Sequence, residues 1–190
     1  MQIQLPKLRK IGVDRPKKKK IFLICDSIQF ASGIATAAKE IVVGTADKYD
    51  WVQLGAALKH PDHGKIIDAS ADIEKETGLE NVYCKIYCHD GYGNQEVIRE
   101  IIHYEKPDML LLITDPRFFA HVFAMEYELR TVHKIPIAYL NIWDASSPFP
   151  EWNSSAYSSC DLLMSINRQT VIVNEQCLKR HGTETLNLDK

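Results

Sequence analysis

Four polar stretches carry the residue types that bind or react, and each follows an apolar run. Thr114-Asp115-Pro116-Arg117 places a carboxylate two residues from a guanidinium. Asp115 could orient hydroxyl groups or act as a base, and Arg117 could hold an anion bidentately. Equally, Asp115 serves as the cap of the next helix, with Arg117 in its first turn. Trp143-Asp144 and Trp152-Asn153 bracket a loop containing Pro148 and Pro150. An aromatic plate beside a carboxylate suits carbohydrate rings, through apolar contact plus hydrogen bonds to hydroxyls, although Trp143 serves as well in a core. Ser32-Gly33 stands where a helix begins, so unpaired N–H groups and the helix dipole attract phosphate there. Gly33, lacking Cβ, either admits an anion to the backbone or merely permits close packing. Gly91-Tyr92-Gly93 supplies an aromatic face on a pliant turn, fitting a substrate-contacting lid or a plain surface turn.

These stretches are positioned by alternating strand and helix patterns. Ile21–Cys25 is apolar on both faces, as a central parallel strand covered by helices must be. The small residues from Ala31 to Val42 predict a helix, with Ser32 as its N-cap. Strands are expected over 51–54, 65–68, 82–87, 109–114, 136–142 and 161–166. Asn94 caps a helix through Tyr104 with Val97, Ile98, Ile101 and Ile102 on one face, Phe118 to His133 reads as one helix, and Asn167 begins the last. The expected fold is α/β: an open, mostly parallel sheet with helices on both faces and right-handed crossovers. In such sheets ligands bind at the carboxyl ends of the strands, which gathers the loops 26–33, 89–94, 114–117 and 141–153 at one rim.

At 190 residues, 45% apolar and 25% charged, the chain can build one packed core, which excludes a disordered or disulfide-dense protein. No apolar run approaches the roughly 20 residues of a membrane-spanning helix. Five scattered cysteines and a start unlike a signal peptide give a cytoplasmic expectation. Residues 1–20 hold eight basic groups against one acid, net +7, whereas the remainder is −9 and the whole −2. The run Lys17, Lys18, Lys19, Lys20 could meet nucleic acid or an anionic surface, or simply keep the first buried strand soluble. The expected organisation is a basic tail over 1–19, a domain over 20–181, and a loose end over 182–190. No dinucleotide fingerprint, P-loop or G-x-S-x-G elbow occurs. His60-Pro61-Asp62-His63 and Cys84-x-x-x-Cys88-His89 lack a second pair at zinc spacing, so no metal is expected.

The order of several short motifs adds a resemblance. Asp26 followed by Ser32-Gly33-Ile34-Ala35, then Lys106-Pro107-Asp108 before an apolar strand, then Ile135-Pro136-Ile137-Ala138-Tyr139 leading to Asp144, then Tyr157-x-x-Cys160-Asp161 before Ser165-Ile166-Asn167-Arg168-Gln169-Thr170 together resemble the N-terminal domain of GT-B glycosyltransferases, especially the large retaining group that uses nucleotide sugars. The likeness spans residues 20–181. It implies a Rossmann-like half that binds a hydroxyl acceptor, with the Ser32-Gly33 loop approaching the diphosphate of a nucleotide-sugar co-substrate and no tightly bound cofactor. A second domain, or a partner chain, would supply most of the nucleotide pocket. Many relatives carry a histidine after the strand at 137–142, where this chain has Asn141, Trp143 and Asp144. Asp144 or Asp115 could fill that catalytic position, and Arg117, Trp143, Trp152, Asn153 and Tyr92 would hold the acceptor. Retaining and inverting outcomes both stay open. A non-catalytic binding module, docked through the lysine run, is the competing expectation.

Overall fold

A computed structural model describes residues 17–143 and 151–180. The lysine run ends in β1 (Lys19–Asp26), whose apolar centre is fully buried because helices cover both of its faces. Then follow α1 (Gly33–Thr45), β2 (Tyr49–Ala57), β3 (Ile66–Asp68), α2 (Ser70–Thr77), β4 (Cys84–Asp90), α3 (Gln95–Glu105) and β5 (Met109–Ile113). A broken helical segment comes next, made of a 3-10 turn (Pro116–Phe119), α4 (Ala120–Phe123), α5 (Glu126–Glu128) and a π turn (Leu129–His133). The chain continues with β6 (Ile137–Asn141), a 3-10 turn (Glu151–Asn153), α6 (Ser154–Ser158), β7 (Leu162–Ser165) and α7 (Arg168–Arg180).

The strands form one sheet in the order β3-β4-β2-β1-β5-β6-β7, parallel except for the antiparallel pair of β3 with β4. Apart from that edge strand, the chain winds outward from β1 through β2 to β4, returns to β1's other side, and winds through β5, β6 and β7. This is the Rossmann-like order, and its switch point lies between β1 and β5. Alternate residues feed two apolar layers. Phe22, Ile24, Leu110, Leu112 and Tyr139 meet α3, the broken segment, α6 and α7. Leu23, Cys25, Leu111 and Ile113 meet α1, and Trp51, Cys84 and Ile86 join the same layer with α2. Each fully buried large apolar side chain contributes roughly 1.5–3 kcal/mol before chain entropy is counted.

Three sequence expectations change. The helix expected over 118–133 is interrupted: it runs as a 3-10 turn, two short α-helices and a π turn, while Phe119, Val122, Met125 and Leu129 stay buried. Helix α2 was not expected: Ile73 is its one large buried side chain, too sparse a signal for a period. Helix α6 likewise follows a stretch expected to be only loop. Within the lysine run, Lys18 Nζ donates to the Ala46 carbonyl at 2.7 Å, Lys19 pairs with Asp108 at 2.6 Å while 75% exposed, and Lys20 pairs with Glu105 at 2.7 Å. The tail over 1–16 and the end over 181–190 lie outside the described residues, so the outer domain boundaries stay expectations. Among the described residues no helix is long and apolar enough to cross a membrane, and no three potential ligands group as a metal site.

Candidate functional site

The loop after β1 is held by a buried polar residue inside an apolar strand. Gln53 of β2 donates to the Asp26 carbonyl at 2.9 Å and accepts from the Ile28 N–H at 3.2 Å, pinning the loop after β1. Gly55 makes room for that loop: a Cβ there would lie 2.7 Å from Ile86 Cγ2 and 3.0 Å from Ser27. The Asp26 carboxylate then accepts from Ser32 Oγ at 2.7 Å and from the Tyr92 hydroxyl at 2.6 Å. Burial, reinforced by that bond to Asp26, pushes the Tyr92 phenol well up, so it stays a donor.

Ser32 does two jobs, because its Oγ also accepts from the Ala35 N–H at 3.0 Å and caps α1. Its carbonyl takes the Thr36 N–H. As first-turn donors, the N–H groups of Gly33 and Ile34 have no acceptor within the helix, and a Cβ built on Gly33 would meet nothing within 4 Å among the described residues. The close-packing explanation of that glycine therefore fails.

Opposite, His121 Nε2 stands 3.2 Å from the Tyr92 carbonyl. A carbonyl only accepts, so Nε2 carries the proton and Nδ1 of the neutral ring is an acceptor. Burial lowers the His121 pKa and favours that neutral form. Asp26, Phe30, Ser32, Leu58, Tyr92, Phe118 and His121 line a cavity of about 550 Å³ at the carboxyl ends of β1, β2 and β4. Thr114, the residue after β5, is buried with φ +155°. A β-branched residue seldom adopts such a φ.

Asp115 takes the capping role. Its Oδ1 accepts from the Arg117 N–H at 2.9 Å, and its carboxylate grips the Arg117 guanidinium at 2.6–3.1 Å. Although partial burial raises the Asp115 pKa, the bonds from Arg117 outweigh it and the net shift is downward. The Nε and Nη2 edge of Arg117 is thus already spent on Asp115, and its guanidinium lies 5.3 Å from the Trp143 ring. Arg117, Trp152 and Asn153 line a second cavity of about 380 Å³, with Trp152 60% exposed and edge-on to Trp143 at 6.5 Å. Asn153 is buried and donates to the Tyr157 hydroxyl at 3.2 Å. Asp144 lies outside the described residues.

The expected site residues do not form one groove: Gly33, Asp115 and Trp143 line neither of these cavities, and the other described ones divide between the two. Ser32 and Tyr92 line the first; Arg117, Trp152 and Asn153 line the second. Between them runs the 3-10 turn, with Phe118 facing one side and Pro116 and Arg117 the other. Asp26, Gln53 and His121 were not singled out. Asp26, as the polar residue closing the central strand, and Gln53, as the amide interrupting an apolar run, each left a signal. His121 left none.

No protein-family model and no curated protein sequence matches the chain. Among solved structures, the chain is similar to Anabaena Alr3699/HepE, crystallised in complex with UDP and glucose, at 10% identity and a TM-score of 0.49. The match covers 84% of this chain and 41% of that protein, so the chain spans less than half its length. The fold rests on the strand order, to which a likeness of this size adds no argument. Nucleophilic cysteine chemistry finds no support among the five thiols, all buried and outside any disulfide; burial pushes Cys84 and Cys160 up to about 12.

Proposed function

We propose that the chain is the acceptor-side domain of a glycosyltransferase that uses a nucleotide sugar. The observation that supports this reading best is the Asp26 carboxylate, held by Ser32 and Tyr92 at a cavity walled by Phe30 and Phe118, with Ser32 capping the helix whose first-turn donors, Gly33 N–H and Ile34 N–H, follow it in the chain. Acceptors and donors side by side satisfy a hydroxyl, which is both, and aromatic walls suit the apolar face of a sugar ring. Asp26 would orient the acceptor hydroxyl, and Asp26 or His121 Nδ1 would take its proton as the oxygen attacks the anomeric carbon and the nucleoside diphosphate leaves. Ser32 would hold Asp26 in place, while Gly33 and Ile34 N–H approach the leaving diphosphate. Asp115 and Asp144 are the alternative carboxylates, and Trp143, Trp152, Arg117 and Asn153 would seat the remainder of the acceptor. The opposite wall of the donor cleft would come from a second domain or a partner chain.

The test is turnover of nucleotide sugars, beginning with UDP-glucose, by the full-length gene product. Asp26→Asn is expected to lower transfer by about 100-fold or more, the usual reach of a lost general base. Full turnover in Asp26→Asn, with loss in Asp115→Asn or Asp144→Asn, would move the base. Nucleotide binding with no transfer by any form would favour the binding-module reading.

A further inference from the structure

We propose that β7 pairs with β7 of a second copy of this chain, antiparallel and centred on Met164, so that the two sheets join into one. The sheet ends in two unlike edges. At one, β3 is three residues long, antiparallel and bounded by Lys65 and Asp68, which are ordinary guards against further pairing. At the other, β7 runs Leu162-Leu163-Met164-Ser165 in parallel with β6, with no proline, lysine or bulge to blunt it.

The sequence of this edge is complementary to its own reverse. Leu162 and Met164 align with Ala138 and Leu140, which places them on the α1/α2 side of the sheet, and Ile166 extends the ladder by donating its N–H to Asn141. On that side the helical members of the apolar layer come from α1 and α2, which belong to the other half of the sheet. Leu162 is 51% exposed and Ile166 49%. A two-fold axis normal to the sheet through Met164 sets Leu162 opposite Ile166 of the second copy, and Met164 opposite itself, all on one face. Shifting the centre by one residue would set Leu162 opposite Met164 and leave Ile166 against Cys160, losing the match of the two exposed side chains.

The mass of the full chain, measured by light scattering across a concentration series, is expected to double from 21.7 kDa. Met164→Lys would put two like charges opposite each other and return the monomer, with an unchanged far-ultraviolet spectrum showing that the fold survives. Because the native thiols are buried, Met164→Cys offers a second reading: mild oxidation should link it across the axis, whereas Cys at exposed Lys75 should not link. A chain that stays monomeric at every concentration overturns the proposal. So does a dimer that survives Met164→Lys and whose Met164→Cys form links no faster than the Lys75→Cys control. Neither outcome touches the glycosyl-transfer reading, which is decided by turnover.

Discussion

A carboxylate beside a helix N-terminus sets the charge of the cleft, and two residues show how such placement is tested. Asp26 lies beside the open end of α1, so its negative charge opposes a diphosphate there even as it grips hydroxyls. Asp26→Asn should therefore bind UDP about tenfold more tightly, the effect of roughly 1–2 kcal/mol of relieved repulsion, as read by calorimetry. Weaker UDP binding by that variant would remove the diphosphate from the Gly33 terminus. Glu105 tests the lysine ties. Burial alone would raise its pKa, but hydrogen bonds from Lys20, Tyr83 and Tyr87 more than offset this and the net shift is downward. A carboxylate held below its unfolded value stabilises the fold above about pH 4.5, and that stabilisation is lost as pH falls through the folded value. Glu105→Gln should cost about 2 kcal/mol at neutral pH and flatten the decline in melting temperature on acidification. An equally steep acid decline in the variant would show that other carboxylates govern it.

At the scale of elements, caps and glycines are where sequence chemistry maps directly onto structure. Asn94 was expected to cap a helix, and its Oδ1 accepts from the Val97 N–H at 3.0 Å at the start of α3. Asn94→Ala should cost about 1 kcal/mol, seen as a lower denaturation midpoint with an unchanged slope. Gly55→Ala would drive a methyl into Ile86 and Ser27, overpacking by about 1–3 kcal/mol. An unchanged midpoint in Gly55→Ala would mean that the loop after β1 gives way easily. Strands with continuous apolar centres were legible because burial on both faces leaves no alternative composition, as in β1 and β5. The broken segment from Pro116 to His133 was not, because hydrophobic recurrence shows which residues are buried but leaves open whether the backbone bends to keep them there.

For the whole molecule, β1 sits at the middle of the sheet with three strands on either side. Amide exchange should accordingly be slowest in β1, β2 and β5 and approach the global unfolding limit there, while β3 exchanges fastest. Comparable protection in β3 and β1 would contradict that ordering. The sequence by itself determined the α/β class, seven strand positions and the helix caps at Ser32 and Asn94. These follow from local rules of burial, period and capping, each readable within a few residues. Only the tertiary structure decided that Asp26, Ser32 and Tyr92 meet, that Asp115 is spent on Arg117, and that one expected groove is two pockets. The Asp115–Arg117 pair is local, and the structure only chose between two readings already open; the meeting of Asp26 with Tyr92 joins residues 66 positions apart, which the strand order creates and no local pattern encodes.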